Sequence, residues 1–539
     1  MADDPQKPDR DPMDTHPLEA CETPYADSDQ EELTVVPTAA PMALGTPIIA
    51  DDGRFKTGRL KGLTMGAAIF VLAWPVILES MLNSTVGLVD TMLSAGLEQG
   101  EAATDAIGGA SYIMWLIGLV IMAIGVGATA LIARSIGKGR VGVANAVLGQ
   151  AMTLALISGV VIGVVVWLLS GSVAALLNMT PAAAGYFADY MRIIAFGTPS
   201  ASVLFALIAC SRGAGDSVSP LFVMIVRNMV NIMISWGASG VEVYGLRSPL
   251  GLDLGVTGIA LGTVLGDVAG ALFIWRVART GRWGIRLKTI RMRPHTLTIV
   301  RLVRLGVPNF IETFGMWIGN FFIIAFVGLL SLQLGTDGLL GAHIIGIRIE
   351  AFSFMPGFGV GMAAATLAGQ YLGMGRADLA KKAVWRCALL AISFMGLFSV
   401  LLITIPRQIT ALLSTQPTHL EEVPPLLFVC GIVQIPFALS IVLRAAMRGA
   451  GDVKAVMALT WFSTYAIRLP LAYLVSGVDI PIPQWLGGGM IMNPDLPSKW
   501  FGLEPGLTML WIALCSEMAL RAVLFSARFF HGGWSRVKV

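Results

Sequence analysis

The sequence predicts an all-α polytopic membrane protein: twelve transmembrane helices in two parallel six-helix repeats. Three observations lead there. Hydrophobic residues make up 55% of the 539-residue chain and charged residues only 13%, where a soluble domain carries roughly 25% charged residues. Apolar runs of about 20 residues recur, each long enough to cross a hydrocarbon core of roughly 30 Å. The chain also repeats itself. Arg-Gly-Ala-Gly-Asp stands at Arg212–Asp216 and again at Arg448–Asp452, and Ala128–Arg140 is echoed by Ala364–Arg376, both at an offset of 236. Pro75-x-x-x-Glu79 returns as Pro308-x-x-x-Glu312, and Thr104–Ala110 as Thr336–Ala342, at offsets of 233 and 232. A unit of that length is a duplicated domain, since solenoid repeats run to about 20–50 residues.

The elements follow in order. Residues 1–61 are an acidic, Pro-rich tail expected to be disordered, ending in a basic collar of Arg54, Lys56, Arg59 and Lys61 that suits an anionic inner leaflet. It lacks the charged-then-apolar start of a signal peptide. Spans are expected near 64–93, 107–134, 143–169, 186–211, 217–239 and 254–277, forming an amino lobe over 62–277. A basic linker, 278–298, precedes a carboxyl lobe over 299–528, with spans near 299–329, 338–370, 381–404, 421–447, 453–476 and 505–528. Residues 529–539 form a short second tail. The runs must be helices, because hydrocarbon offers the backbone no other partner, and they are about twice the length of a barrel strand. Six is even, so both lobes enter the membrane from the same side, as parallel repeats do.

Charge sets the orientation. Arg276, Arg279, Arg282, Arg286, Lys288, Arg291 and Arg293 cluster around the linker, and Arg134, Lys138, Arg140, Arg376, Lys381, Lys382, Arg448 and Lys454 lie on the same side. The opposite loops are mainly acidic. The basic side is expected to face the cytoplasm, which puts both termini there in a multi-pass inner (plasma) membrane protein. This topology explains the basic linker without nucleic acid. The five cysteines are scattered, with no disulfide framework or metal spacing.

Charges within spans are costly and mark interior sites. Span one holds Glu79 and Asp90, about three turns apart on one face, with Pro75 one turn before Glu79. Span seven repeats this with Pro308 and Glu312. Glu79 and Glu312 are read as a pseudo-symmetric pair facing a cavity, with Asn320 and Arg227 beside them, and Pro75 and Pro308 as hinges. Span six carries Thr263 and Asp267 one turn apart. Arg348, Glu350, Glu517 and Arg521 read first as internal ion pairs, Glu517 and Arg521 at i,i+4. His343 reads as a hydrogen-bonding residue. Gly-Ala-Gly-Asp fits the GxGD pattern of intramembrane proteases, but both copies end a span and no second acid accompanies them. A helix stop explains them better. No HExxH, phosphate loop or His cluster points to an enzyme or a cofactor.

These residues resemble the multidrug and toxic compound extrusion family, the MATE antiporters. The resemblance covers about 62–528 and is clearest in LGVPNFIET, from Leu305, and in the stretch from Gly335 to Gly375; span one adds Pro75, Glu79, Asp90 and Thr91. It implies two lobes forming a V around a central cavity, and ion-coupled antiport of small amphipathic, often cationic organic compounds by a monomer in the bilayer. It also implies a coupling site at Asp90, Asn231 and Thr263. The family's second aspartate in span five is Ser235 here, so one negative charge is missing, and Asp267 is the candidate to restore it. Another branch's carboxyl-lobe glutamate is Met316 here. With a single carboxylate, protons are favoured over sodium at Asp90, and no other metal is expected. The alternative within the superfamily is a lipid-linked oligosaccharide flippase, for which Arg192, Arg227, Arg348 and Arg468 would face the cavity.

Reporters fused after Arg282 and at the carboxyl end should report cytoplasm, and one placed within 478–503 should report the outside. The inverse pattern would reverse the orientation.

Overall fold

The structure, a computed structural model, describes residues 60, 62–98, 100–176, 179–242, 248, 251–336, 338–414, 416–482, 488–494 and 506–537, with single positions at 496, 499, 502 and 504. The expectations for the amino-terminal tail and its collar lie outside the described residues.

Six helices build the amino lobe: α1 (Met65–Ala95), α2 (Gly100–Gly137), α3 (Val141–Leu176), α4 (Pro181–Gly213), α5 (Val218–Ser239) and α6 (Gly255–Thr280). In the carboxyl lobe α7 (Thr296–Leu334), α8 (Leu339–Gly373), α9 (Ala377–Thr404) and α10 (Pro417–Gly449) are followed by a helix in three parts. This α11 comprises Val453–Trp461, a π turn at Phe462–Arg468, and Leu469–Ser476. α12 (Leu507–His531) closes the lobe. Among the described residues eleven helices are long and apolar enough to span a membrane, and α11, divided by its π turn, takes the place of the twelfth expected span. A two-residue antiparallel pairing, Ile480–Pro481 with Met490–Ile491, follows α11.

Local chemistry sets the ends. Thr64 and Thr180 cap α1 and α4 by accepting from Ala67 and Ala183 N–H. Left-handed glycines, Gly240, Gly281, Gly335, Gly477 and Gly532, stop five helices. The repeated Arg-Gly-Ala-Gly-Asp is a helix stop in both lobes. Its second glycine turns left-handed, with φ of 89° at Gly215 and 88° at Gly451, and Asp216 then accepts from the Val218 and Ser219 N–H groups that open α5.

The basic linker is docked rather than free. Trp283, Ile285 and Leu287 are buried in the amino-lobe core. Gln150 on α3 donates to the carbonyls of Arg291 and Arg293, each at 2.7 Å. The carboxyl tail also folds back. Trp534 is buried with its ring stacked on Phe529, centroids 5.1 Å apart, and the Arg134 guanidinium donates to the carbonyls of Val537 and Ala450 at 2.8 and 2.7 Å.

The first helix of each lobe crosses to the other. Below Pro75, α1 packs Met65, Ile69 and Leu72 into a core built from α8, α9, α10 and α12; beyond it, Leu93 joins the amino-lobe core. α7 reciprocates. Leu302 and Leu305, before Pro308, pack into the amino-lobe core, while Ile323, Val327 and Leu330 pack into the carboxyl lobe. The basic-end halves of α2 and α8 then meet through glycine. A Cβ on Gly137 would strike the Gln370 carbonyl and lie 2.9 Å from the Gly373 Cα, and one on Gly127 would lie 2.8 Å from the Leu302 carbonyl oxygen. Nearer mid-helix, Trp115 of α2 meets Trp317 of α7 with ring centroids 3.8 Å apart.

Gly137→Ala should therefore destabilise the solubilised protein by about 1–3 kcal/mol, the usual range for overpacking, read as a lowered thermal midpoint. Gly142→Ala, in open space, should not. Equal midpoints would show that the lobes are not zipped at this contact.

Candidate functional site

Three helices of the amino lobe bring together the coupling residues expected from the sequence. Asp90 sits on α1 and is 5% exposed. The Thr263 hydroxyl of α6 donates to Asp90 Oδ2 at 3.2 Å. Asn231 of α5, one turn before Ser235, donates from Nδ2 to Thr263 Oγ1 at 3.1 Å and to Ser235 Oγ at 3.4 Å. The Ser235 hydroxyl passes the chain on to the Ile259 carbonyl. Glycine makes the contact between α5 and α6 possible: a Cβ on Gly262 would overlap Ser235, and one on Gly266 would lie 2.8 Å from the Arg227 carbonyl oxygen. Two oxygens in this buried cluster have no partner, Asp90 Oδ1 and Asn231 Oδ1. A proton on Asp90, or a small hard cation, would use them, since both are oxygen acceptors.

Asp267 does not restore the missing charge. Its carboxylate is bound by Arg227 Nε, at 2.5 Å, and that buried pair is neutral as a unit. Arg227, expected at the cavity, is 6% exposed and lies over the Phe205 ring at 5.9 Å. Among the described residues no group of three or more His, Cys, Asp or Glu could hold a metal.

The two glutamates that follow the prolines are pseudo-symmetric, and both are buried. Each is taken by the arginine of its own lobe's helix stop. Glu79 meets Arg212 at 2.6 Å, and Glu312 meets Arg448 at 2.7 Å. Glu312 is wholly buried, and Arg444 and the Thr460 hydroxyl fill its other oxygen at 2.8 and 2.9 Å. Arg444 also reaches the Met316 thioether at 3.1 Å. Both oxygens of Glu312 are thus taken by side chains of its own lobe. Asn320, on α7, is half-buried with an unpartnered Oδ1. Pro75 and Pro308 lie inside continuous helices. The expected Glu517–Arg521 pair forms, at 2.7 Å, and His343 accepts from Trp511 Nε1 at 3.0 Å.

Sequence reasoning missed Tyr190, Arg444 and Thr460. Tyr190, 2% exposed on α4, faces Asp90 and Thr263, and one tyrosine in an apolar helix carries no signal. The partners of the two glutamates had a signal that went unused. Each Pro-x-x-x-Glu and each Arg-Gly-Ala-Gly-Asp recur at nearly one offset, so a bond between them would be duplicated too.

The profile of the MatE family matches residues 75–236 and 308–474, one copy in each lobe. The chain belongs to the MatE family. It is 26% identical over 470 residues to a probable multidrug resistance protein NorM of Thermotoga maritima, covering 86% of this chain and 92% of that one. Multidrug resistance protein PmpM of Pseudomonas aeruginosa is 25% identical, over 85% of this chain and 92% of its own. The crystal structure of the Vibrio cholerae MATE transporter VcmN in the bent form superposes with a TM-score of 0.74 at 15% identity, covering 88% and 97% of the two chains. The MatE fold is thus a transporter fold, not that of an enzyme, and the GxGD protease reading falls.

Removing the Glu312 charge leaves Arg444 and Arg448 facing each other. Breaking a buried pair in this way costs about 3–5 kcal/mol. Glu312→Gln should lower the thermal midpoint and yield of folded protein far more than Glu79→Gln, whose partner Arg212 stands alone. Equal effects of the two substitutions would contradict the saturated geometry.

Proposed function

We propose that this MatE protein is a secondary active exporter of small amphipathic organic compounds, many of them cationic, driven by protons entering the cell. The observation that carries the reading is Asp90: a buried carboxylate in the amino lobe with, among the described residues, no Arg, Lys or His nitrogen within 4.0 Å and one oxygen unpartnered. A charge left so in a membrane interior is costly, and a bound proton removes it. The multidrug resistance names of the relatives support the substrate class.

Charge and ligand count favour a proton over sodium. Sodium wants several free oxygens, and here the Thr263 oxygen already accepts from Asn231 while the Ser235 hydroxyl is turned to a carbonyl. Asp267 is spent on Arg227. Binding at Asp90 shifts the balance between outward- and inward-facing states only if the two states bind the proton differently. α1 supplies such a difference, because its two halves belong to different lobe cores on either side of Pro75.

In this reading the protein is a monomer in the inner (plasma) membrane, its lobes spanning 62–277 and 299–528 and its basic end and both termini in the cytoplasm. The oligosaccharide flippase reading loses two of its four arginines. Arg227 is neutralised by Asp267, and Arg192 is exposed beside Asp189 at 3.6 Å.

In proteoliposomes, Asp90→Asn should reduce proton-driven uptake of ethidium to the level of empty vesicles while the protein still inserts and purifies normally. A sodium gradient driving uptake with the proton gradient collapsed would overturn the proton assignment. Undiminished transport by Asp90→Asn would overturn the site.

A further inference from the structure

Among the described residues six carboxylates are buried within the helices: Glu79, Asp90, Asp267, Glu312, Glu350 and Glu517. Four of them touch a guanidinium: Glu79 with Arg212, Asp267 with Arg227, Glu312 with Arg444 and Arg448, and Glu517 with Arg521. Among the described residues, Asp90 and Glu350 have no cationic nitrogen within 4.0 Å. They lie one in each lobe, and they are not copies of each other: at the duplication offset Asp90 corresponds to Ile323 and Glu350 to Met114.

Glu350 stands in a polar cluster that the function proposed above does not use. It is 7% exposed on α8. The ionisable groups that bear on it are Cys430 of α10, Arg468 of α11 and Cys515 of α12. Arg468 is 8% exposed, with its Nε unpartnered and no carboxylate within 4.0 Å. Arg521 is occupied: it holds Glu517 and donates to Ser463 and Thr464 of the π turn at 3.1 and 3.2 Å. Gln434 Oε1 and Glu517 Oε2 are also buried without a partner. The cluster therefore holds the Glu517–Arg521 pair, the guanidinium of Arg468, on which Glu517 and Glu350 both act from beyond 4.0 Å, and the carboxyl of Glu350.

We infer that Glu350 is a second proton-binding carboxyl, with Arg468 as the counter-charge it engages when the proton leaves. This rests on the proton-coupled reading of Asp90. With the proton bound, Glu350 is neutral beside the Cys430 thiol; in the geometry seen here Arg468 stands more than 4.0 Å from it. When the proton leaves, Glu350 becomes a carboxylate facing a buried guanidinium, and the attraction draws α8 and α11 together. A π turn supplies the slack, since such turns sit where a helix must adjust at a functional site. α8 packs against α1 and α2 of the amino lobe, so its movement reaches the lobe interface. Each lobe then binds one proton.

The test uses the full-length protein in lipid vesicles at neutral pH. Infrared spectra should contain carbonyl-stretch bands of protonated carboxylic acids. Glu350→Gln should remove one, and Glu350→Asp, which retains the acid, should shift it and decides the matter if the Gln variant does not fold. With ethidium as the transported probe, Glu350→Gln should halve the ratio of protons to ethidium moved, without altering the Asp90 band. Unchanged acid bands in the Gln variant, unshifted bands in the Asp variant, or an unchanged ratio would overturn the proposal. A parent protein that moves ethidium with no proton flux would instead overturn the proton-coupled reading itself, a separate result.

Discussion

The molecule depends on an ion pair made twice. One turn after a proline in the first helix of each lobe, a glutamate reaches the arginine that ends the fourth: Glu79 to Arg212, Glu312 to Arg448. Both bonds lie within a lobe, although the helix carrying each glutamate has just left the other lobe. Below the proline, α1 and α7 are packed into the opposite core. The pair anchors each helix where it returns home. The same arginine opens the stretch whose backbone meets the partner lobe. Ala450, two residues after Arg448, accepts from Arg134, and Gly213, after Arg212, accepts from Gln370 at 3.4 Å. Arg134 and Gln370 are duplication partners at the offset of 236, so the clasp is reciprocal in sequence as well as in space.

The buried charges fall into two kinds. A carboxylate saturated by guanidinium, such as Glu312, is tied in place by opposite charge, and removing its partner leaves an uncompensated charge. A carboxylate such as Asp90, with no cation in contact among the described residues, lacks that tie. Burial does not separate the kinds, for Glu312 and Asp90 are both hidden from solvent. Whether the opposite charge lies within contact distance does.

Much of the fold was legible because membrane insertion leaves little choice. Long apolar runs can only be helices, and the repeated motifs named the symmetry. The expected spans near 64–93 and 453–476 lie close to α1, Met65–Ala95, and to the three parts of α11. The site was less legible. Asp90, Asn231, Ser235 and Thr263 were placed together by resemblance, and they do form one hydrogen-bonded chain. Asp267 and Arg227 were assigned apart, one to the ion and one to the cavity, and instead meet each other. They lie forty residues apart on α5 and α6, where spacing along one helix carries no information. Arg444 was invisible for a similar reason. Its counterpart at the duplication offset is Ile208, so no echo pointed to a second cation at Glu312.

The π turn in α11 has a meaning for the history of the chain. A π turn uses an i→i+5 bond where the α-helix uses i→i+4, and each residue of an α-helix turns through about 100°. One residue more in a turn rotates all that follows by that amount against the counterpart in α5, which has no such turn. Over this stretch the two repeats are therefore no longer interchangeable. Beyond it, a substitution in one lobe no longer has an equivalent face in the other, and each half became free to acquire its own chemistry.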